Sequence, residues 1–268
     1  MDFRARAEFI QALRLLTQTL DTEHQTHRFS QALANGLLAM REAEDFIPKG
    51  SRLEANIDMQ RMVQSHKTPA LKDINLAKVT PIVAVQQYYA YAQSQLGLAG
   101  LHIPEASNAL FGLGKIQPYL DSGNGRDKSM MGPRSVAIYQ AAMIVDGNNA
   151  MAANELGVML ARYGQLKDAK QVFLQGIQAT PEIQSWNNLA KVHDALGEPQ
   201  LAAMARNEAL LLQRLPKKSS GKEVVQWTSV EQFANQGRPQ LGHQQTARGP
   251  WQFPASTARN QNSNYPSR

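Results

Sequence analysis

His24 and His27 are the nearest approach in this chain to a metal-ligand pair, because a spacing of three could put two imidazoles on one helix face. Only Glu23 stands beside them to complete a ligand set, so no metal and no cofactor are expected. The run Gly123-Asn124-Gly125-Arg126-Asp127-Lys128-Ser129 has the glycines of a phosphate cradle. A P-loop also needs a preceding strand and a Gly-Lys-Ser/Thr run that opens a helix, and neither is written here. The 268 residues include no cysteine, which removes thiolate metal sites, disulfides and cysteine nucleophiles. No serine has a nucleophile-elbow context, and no carboxylate pair stands apart from ordinary helix-surface charge. These patterns predict no catalytic residues and no enzyme, with an enzyme subunit carrying an unrecognised site as an alternative.

The net charge of +6 invites a nucleic-acid reading until it is located. Seven Lys and Arg against two Glu fall between Pro216 and Arg268, so this tail carries +5 and the rest of the chain is nearly neutral. A DNA-binding face needs its cations clustered on an ordered surface, which makes nucleic acid an unlikely partner. Binding of nucleic acid or an anionic surface through the tail is the second alternative.

Unbranched Ala, Leu, Gln and Met dominate and predict helices. Phe9, Ile10, Leu13, Leu16 and Leu20 mark a first helix over about 2–20, with Asp21 and Thr22 as punctuation. A second helix spans about 23–46 and ends before Pro48 and Gly50, and a third spans about 52–65. Residues 68–78 read as a connector. Thr80 and Pro81 cap a helix that Gly97 and Gly100 should end, and its Tyr88, Tyr89 and Tyr91 are expected to pack rather than to form a binding platform. A further helix runs from Pro104 toward Pro118, a loop covers 121–133, and helical spacing resumes over 134–145.

From 150 to 216 the sequence repeats itself at an offset of 33: Asn154 and Asn187, Leu156 and Leu189, Gly164 and Gly197, Ala169 and Ala202. Each unit divides into two helices with a glycine at the turn, where a left-handed backbone commonly terminates a helix. The first unit carries Ala153, Leu156, Gly157, Leu160, Ala169, Phe173 and Pro181; the second carries Trp186, Leu189, Ala190, His193 and Ala202, with Arg206 and Arg214 in the places of Phe and Pro. This arrangement resembles the tetratricopeptide repeats (TPR), whose pattern is W-x2-L-G-x2-Y, then A-x3-F, then P. The small residues let helix backbones approach, and Leu156, Phe173, Trp186 and Leu189 fill the space between. Arg206 and Arg214 suit an end unit with no neighbour to cover it.

The resemblance implies an all-α chain, a right-handed superhelix of antiparallel helix pairs (a TPR-like α-solenoid) with a disordered C-terminal tail. Residues 1–80 are then a divergent helical hairpin region extending the same superhelix, 81–149 degenerate TPR-like helices with Leu113-Gly114 and Tyr139, 150–216 two TPR units, and 217–268 the basic tail. It also implies an interaction scaffold or adaptor whose inner helices line a concave groove for a partner peptide or helix of unidentified origin. The groove candidates are Asn154, Val158, Arg162, Asn187, Lys191 and Asp194, where asparagines repeating in register could hydrogen-bond a peptide backbone. Self-association is a further possibility. His193 is expected to pack in the core.

Within the tail, Val224, Val225, Trp227, Val230 and Phe233 suggest a short helix near 227–234 that docks on the last repeat or anchors a partner, and Trp251 with Phe253 forms a weaker anchor. No apolar run is long enough for a membrane span. The cytoplasm is the default compartment. The amphipathic pattern already begins at Asp2, which suggests that Met1 is an internal start, and an export signal upstream would place the protein in the cell envelope or periplasm.

Overall fold

A computed structural model describes residues 2–47, 58–120 and 131–214. Among them are ten α-helices and no strand: α1 (Asp2–Glu23), α2 (Arg28–Glu42), α3 (Met59–Ser65), α4 (Pro81–Gly100), α5 (Pro104–Leu120), α6 (Met131–Val145), α7 (Ala150–Arg162), α8 (Leu166–Ala179), α9 (Ile183–Ala195) and α10 (Pro199–Arg214). Short 3-10 turns lie at Ala43–Phe46 and Leu76–Lys78. The sequence expectations for 48–57, for 121–130 and for the whole tail, including the short helix near 227–234, lie outside the described residues.

Asp21 does not stop the first helix as expected. It lies inside α1 and caps the next helix instead, its two carboxylate oxygens accepting the Phe29 and Ser30 amides at 2.9 and 3.0 Å. His27, in the N-cap position of α2, makes no side-chain cap bond, so the preceding helix satisfies the donors that a local cap would take. Burial pushes the Asp21 carboxyl up, and the bonds from Ser30 and Phe29 outweigh it, leaving the group below its ordinary value.

Thr80 does cap α4, accepting the Val83 amide, and Pro81 opens the helix. Gly97 and Gly100, read as stop signals, lie within α4 and serve as seats. A β-carbon on Gly97 would come within 2.6 Å of Ile144, and one on Gly100 within 2.4 Å of Val145, so α4 and α6 meet there almost backbone to side chain. The left-handed residues that end α4 are Leu101 and His102.

The N-terminal helices do more than extend a row of hairpins. α1 packs on α2 and α5, α2 on α4, α4 on α6, and α5 on α6, so these five helices close a ring. α4 leads into α5 through Leu101, His102 and Ile103 yet lies mainly on α2 and α6. Leu96 of α4 fills the space at Gly36 of α2, and on the other side of the ring Phe9 of α1 lies against Gly112 of α5. Leu13, Met40, Phe46, Tyr88, Leu96, Leu110 and Ile138 fill the interior. Tyr88 and Tyr89 are buried and Tyr91 half-buried, the packed shoulder the sequence suggested.

A polar cluster pins the stretch after α3 to this core. Glu42 accepts the Lys67 and Thr68 amides at 2.8 and 3.1 Å. His66 is held between the Tyr88 hydroxyl, 2.8 Å from Nδ1, and Asp45, 3.4 Å from Nε2, with its ring edge-on to Phe46. Burial and the nearby Glu42 and Asp45 charges push the Tyr88 hydroxyl up, so it stays protonated. Burial alone would also raise Glu42, but the bonds from the 67–68 segment hold it below its ordinary value of 4.5. A lowered folded-state value gives stability that is present above about 4.5 and lost as pH falls through the folded-state value. The thermal midpoint should therefore be flat near neutrality and drop in acid, and Glu42→Gln should both lower the neutral midpoint and blunt the acid slope; an unchanged slope would remove Glu42 from this role.

Candidate functional site

Two corresponding turns show how the sequence builds α7–α8 and α9–α10. Asn149 caps α7 by accepting the Ala152 amide at 2.9 Å. Past the end of α7, Gly164 adopts φ +76 and donates to Ala161 while Gln165 donates back to Leu160. Past α9 the same two bonds recur 33 residues later, with Gly197 at φ +73. Nothing lies within 4 Å of a β-carbon at either glycine, so the backbone conformation alone requires glycine there.

Inside each pair a small residue seats a ring. A β-carbon on Gly157 of α7 would meet the Phe173 ring at 2.7 Å, and one on Gly114 of α5 would meet Tyr139 at 2.6 Å. The α5–α6 pair therefore repeats the contact made by α7–α8. Gly114 precedes Gly157 by 43 residues and Tyr139 precedes Phe173 by 34, so the earlier pair carries nine extra residues from seat to ring, seven of them between its two helices and one within each helix. In the last pair Ala190 takes the glycine place, and Arg206 takes the ring place and pairs with Asp194. Leu156, Ala169, Leu189 and Ala202 are buried, Trp186 is half-buried against the same core, and Pro181 is exposed in the α8–α9 turn.

Successive pairs join through their helices in one pattern: α6 packs on α7 and α8 on α9, while α5 touches α7 and α7 touches α9 more lightly. Polar bonds bridge them. Lys115 of α5 pairs with Glu155 of α7 at 2.7 Å, and Lys170 of α8 pairs with Glu198 at 3.0 Å. His193 is buried and also contacts Glu198, at 2.5 Å. Its hydrogen bond, together with that of Lys170, outweighs burial and holds Glu198 below its ordinary value.

The six groove candidates separate. Asn154 is only 6% exposed, and its side-chain oxygen accepts from Asn188 at 3.0 Å and Ser185 at 3.4 Å. It is a bridge between α7 and α9, which corrects its reading as a free backbone-binding amide. Asn187, its counterpart one repeat later, is exposed, because among the described residues no further helix follows to cover that register. Val158 is half-buried, and Arg162 and Lys191 are exposed. Asp194 is exposed but paired with Arg206. Sequence reasoning missed Lys115, Glu155, Ser185 and Asn188; the spacing of Ser185 and Asn188 by three, one turn on a helix, was the available signal.

His24 and His27 do not share a helix face, because α1 ends at Glu23 and both lie in the turn to α2, His24 with its ring on Phe29. Among the described residues no group of three or more His, Cys, Asp or Glu side chains is placed to hold a metal ion, and no helix is long and apolar enough to cross a membrane. No family model matches the chain.

Proposed function

We propose that α5–α6, α7–α8 and α9–α10 are three successive units of the tetratricopeptide kind, wound as a right-handed superhelix, and that the chain is an interaction scaffold. The first helices of the units line a concave wall that receives an extended peptide or a helix of a partner protein. What supports this is the repeated seat: Gly114 under Tyr139 and Gly157 under Phe173, with the same light contact between consecutive first helices. Lys115–Glu155 and Asn154–Asn188 tie those helices side by side, and Val158, Arg162, Asn187 and Lys191 stand on their remaining surface. Exposed cations and amides on a rigid wall suit backbone and side-chain hydrogen bonding to an incoming chain.

The test compares capture by three versions: the full chain, the full chain with Arg162→Ala, Asn187→Ala and Lys191→Ala together, and a version ending at Leu215. A partner that the full chain captures should be kept by the shortened version and lost, by tenfold or more in affinity, by the triple variant. Capture that depends only on residues beyond Leu215 would replace the groove with the basic tail as the binding element.

A further inference from the structure

The three second helices can be compared at one outer register. On α6 its four positions are Arg134, Ala137, Ala141 and Ile144; on α8 they are Asp168, Gln171, Gln175 and Gln178; on α10 they are Leu201, Met204, Glu208 and Leu211. The alignment follows the ring seats, 34 residues from Tyr139 to Phe173 and 33 from Phe173 to Arg206.

On α6 this register is covered at its centre, where Ala137 and Ala141 are buried in the shared core, while Ile144 at its end stays 48% exposed. α4 lies on it, with Gly97 against Ile144. On α8 the register is polar and exposed throughout. On α10 it is apolar at three of four positions and still exposed, with Leu201 at 44%, Met204 at 63% and Leu211 at 54%. An apolar residue scattered singly on a surface needs no explanation, but three in one stripe where the neighbouring repeat has Asp and Gln mark a contact face.

We propose that this stripe is a homodimer interface in which α10 of one copy packs antiparallel on α10 of a second copy. The spacings along the stripe are three, four and three, which read the same in both directions. A two-fold axis near Arg206 therefore sets Leu201 against Leu211 of the second copy at both ends, an isologous arrangement. Met204 then lies beside Glu208 of the second copy, whose carboxylate reaches water at the rim. The contact of α4 with α6 is the nearest parallel, since there a neighbouring helix lies on the same register over the buried Ala137 and Ala141. Two helices of 16 residues meeting along about 24 Å make a contact near the lower bound of roughly 1,000 Å² for specific interfaces, the size of a weak, reversible dimer.

Sedimentation velocity on the full chain tests this. The native protein should pass from monomer to dimer as concentration rises through the micromolar range, and Met204→Glu and Leu211→Glu should each weaken association at least tenfold with unchanged helical circular dichroism and melting. Leu201→Lys, at the opposite end of the stripe, should do the same. A native chain that stays monomeric throughout, or a dimer that all three substitutions leave intact, would overturn the assignment.

Discussion

Phe173→Ala should destabilise the protein by about 3–5 kcal/mol. The ring is 1% exposed and lies on Gly157 at the centre of the α7–α8 pair, in the same core as Leu156, Leu160 and Ile177. Removing it leaves a void that helix backbones already in close approach cannot readily collapse into, so the cavity cost adds to the lost transfer energy. For a chain of this size the thermal midpoint should fall by roughly 10 °C. A fall of only a degree or two would mean that the ring does not fill the hairpin interior.

The second large effect comes from the opposite partner of that contact. Gly157→Leu should cost about 3 kcal/mol, because even the first added carbon would sit 2.7 Å from the Phe173 ring, and the remaining carbons have no space to enter. Alanine at 157 should cost less than overpacking alone would suggest, since leaving glycine regains about 1 kcal/mol of helix propensity. The two sites are coupled: in the Phe173→Ala background the leucine can occupy the vacated volume, so the double variant should be more stable than the two single losses predict, by more than about 1 kcal/mol. Strict additivity would show that Gly157 and Phe173 do not share one space.

How far the sequence could be read follows from which contacts are local. Gly164 and Gly197 were legible because a turn glycine announces itself through its own backbone conformation. Gly97 and Gly100 have the same appearance in sequence but serve a helix more than forty residues away, and no local signal separates a stop from a seat. The Asn154–Asn187 repetition was real, yet the two residues have different surroundings, because α9 covers the first and no helix among the described residues follows to cover the second. Asp21 misled for a related reason: a capping residue is normally sought next to the helix it caps, and this one reaches across a turn from the preceding helix. The ring closed by α1 and α4 could not be read from periodicity, which shows that a helix has an apolar face but not which helix that face meets. Leu113-Gly114 and Tyr139 already marked a further unit interrupted by a loop, but that Gly114 seats the Tyr139 ring is shown only by the contact itself.

Zero-length coupling with a carbodiimide tests, on the unaltered chain, whether consecutive helix pairs stack in one register. Lys115 and Glu155 lie 2.7 Å apart across the first junction, and Lys170 and Glu198 lie 3.0 Å apart across the second. Peptide mapping after coupling should find both isopeptide links, each joining one helix pair to the next. Coupling of Lys115 and Lys170 to other carboxylates, with neither of these links formed, would contradict the stacked arrangement and the binding wall proposed on it.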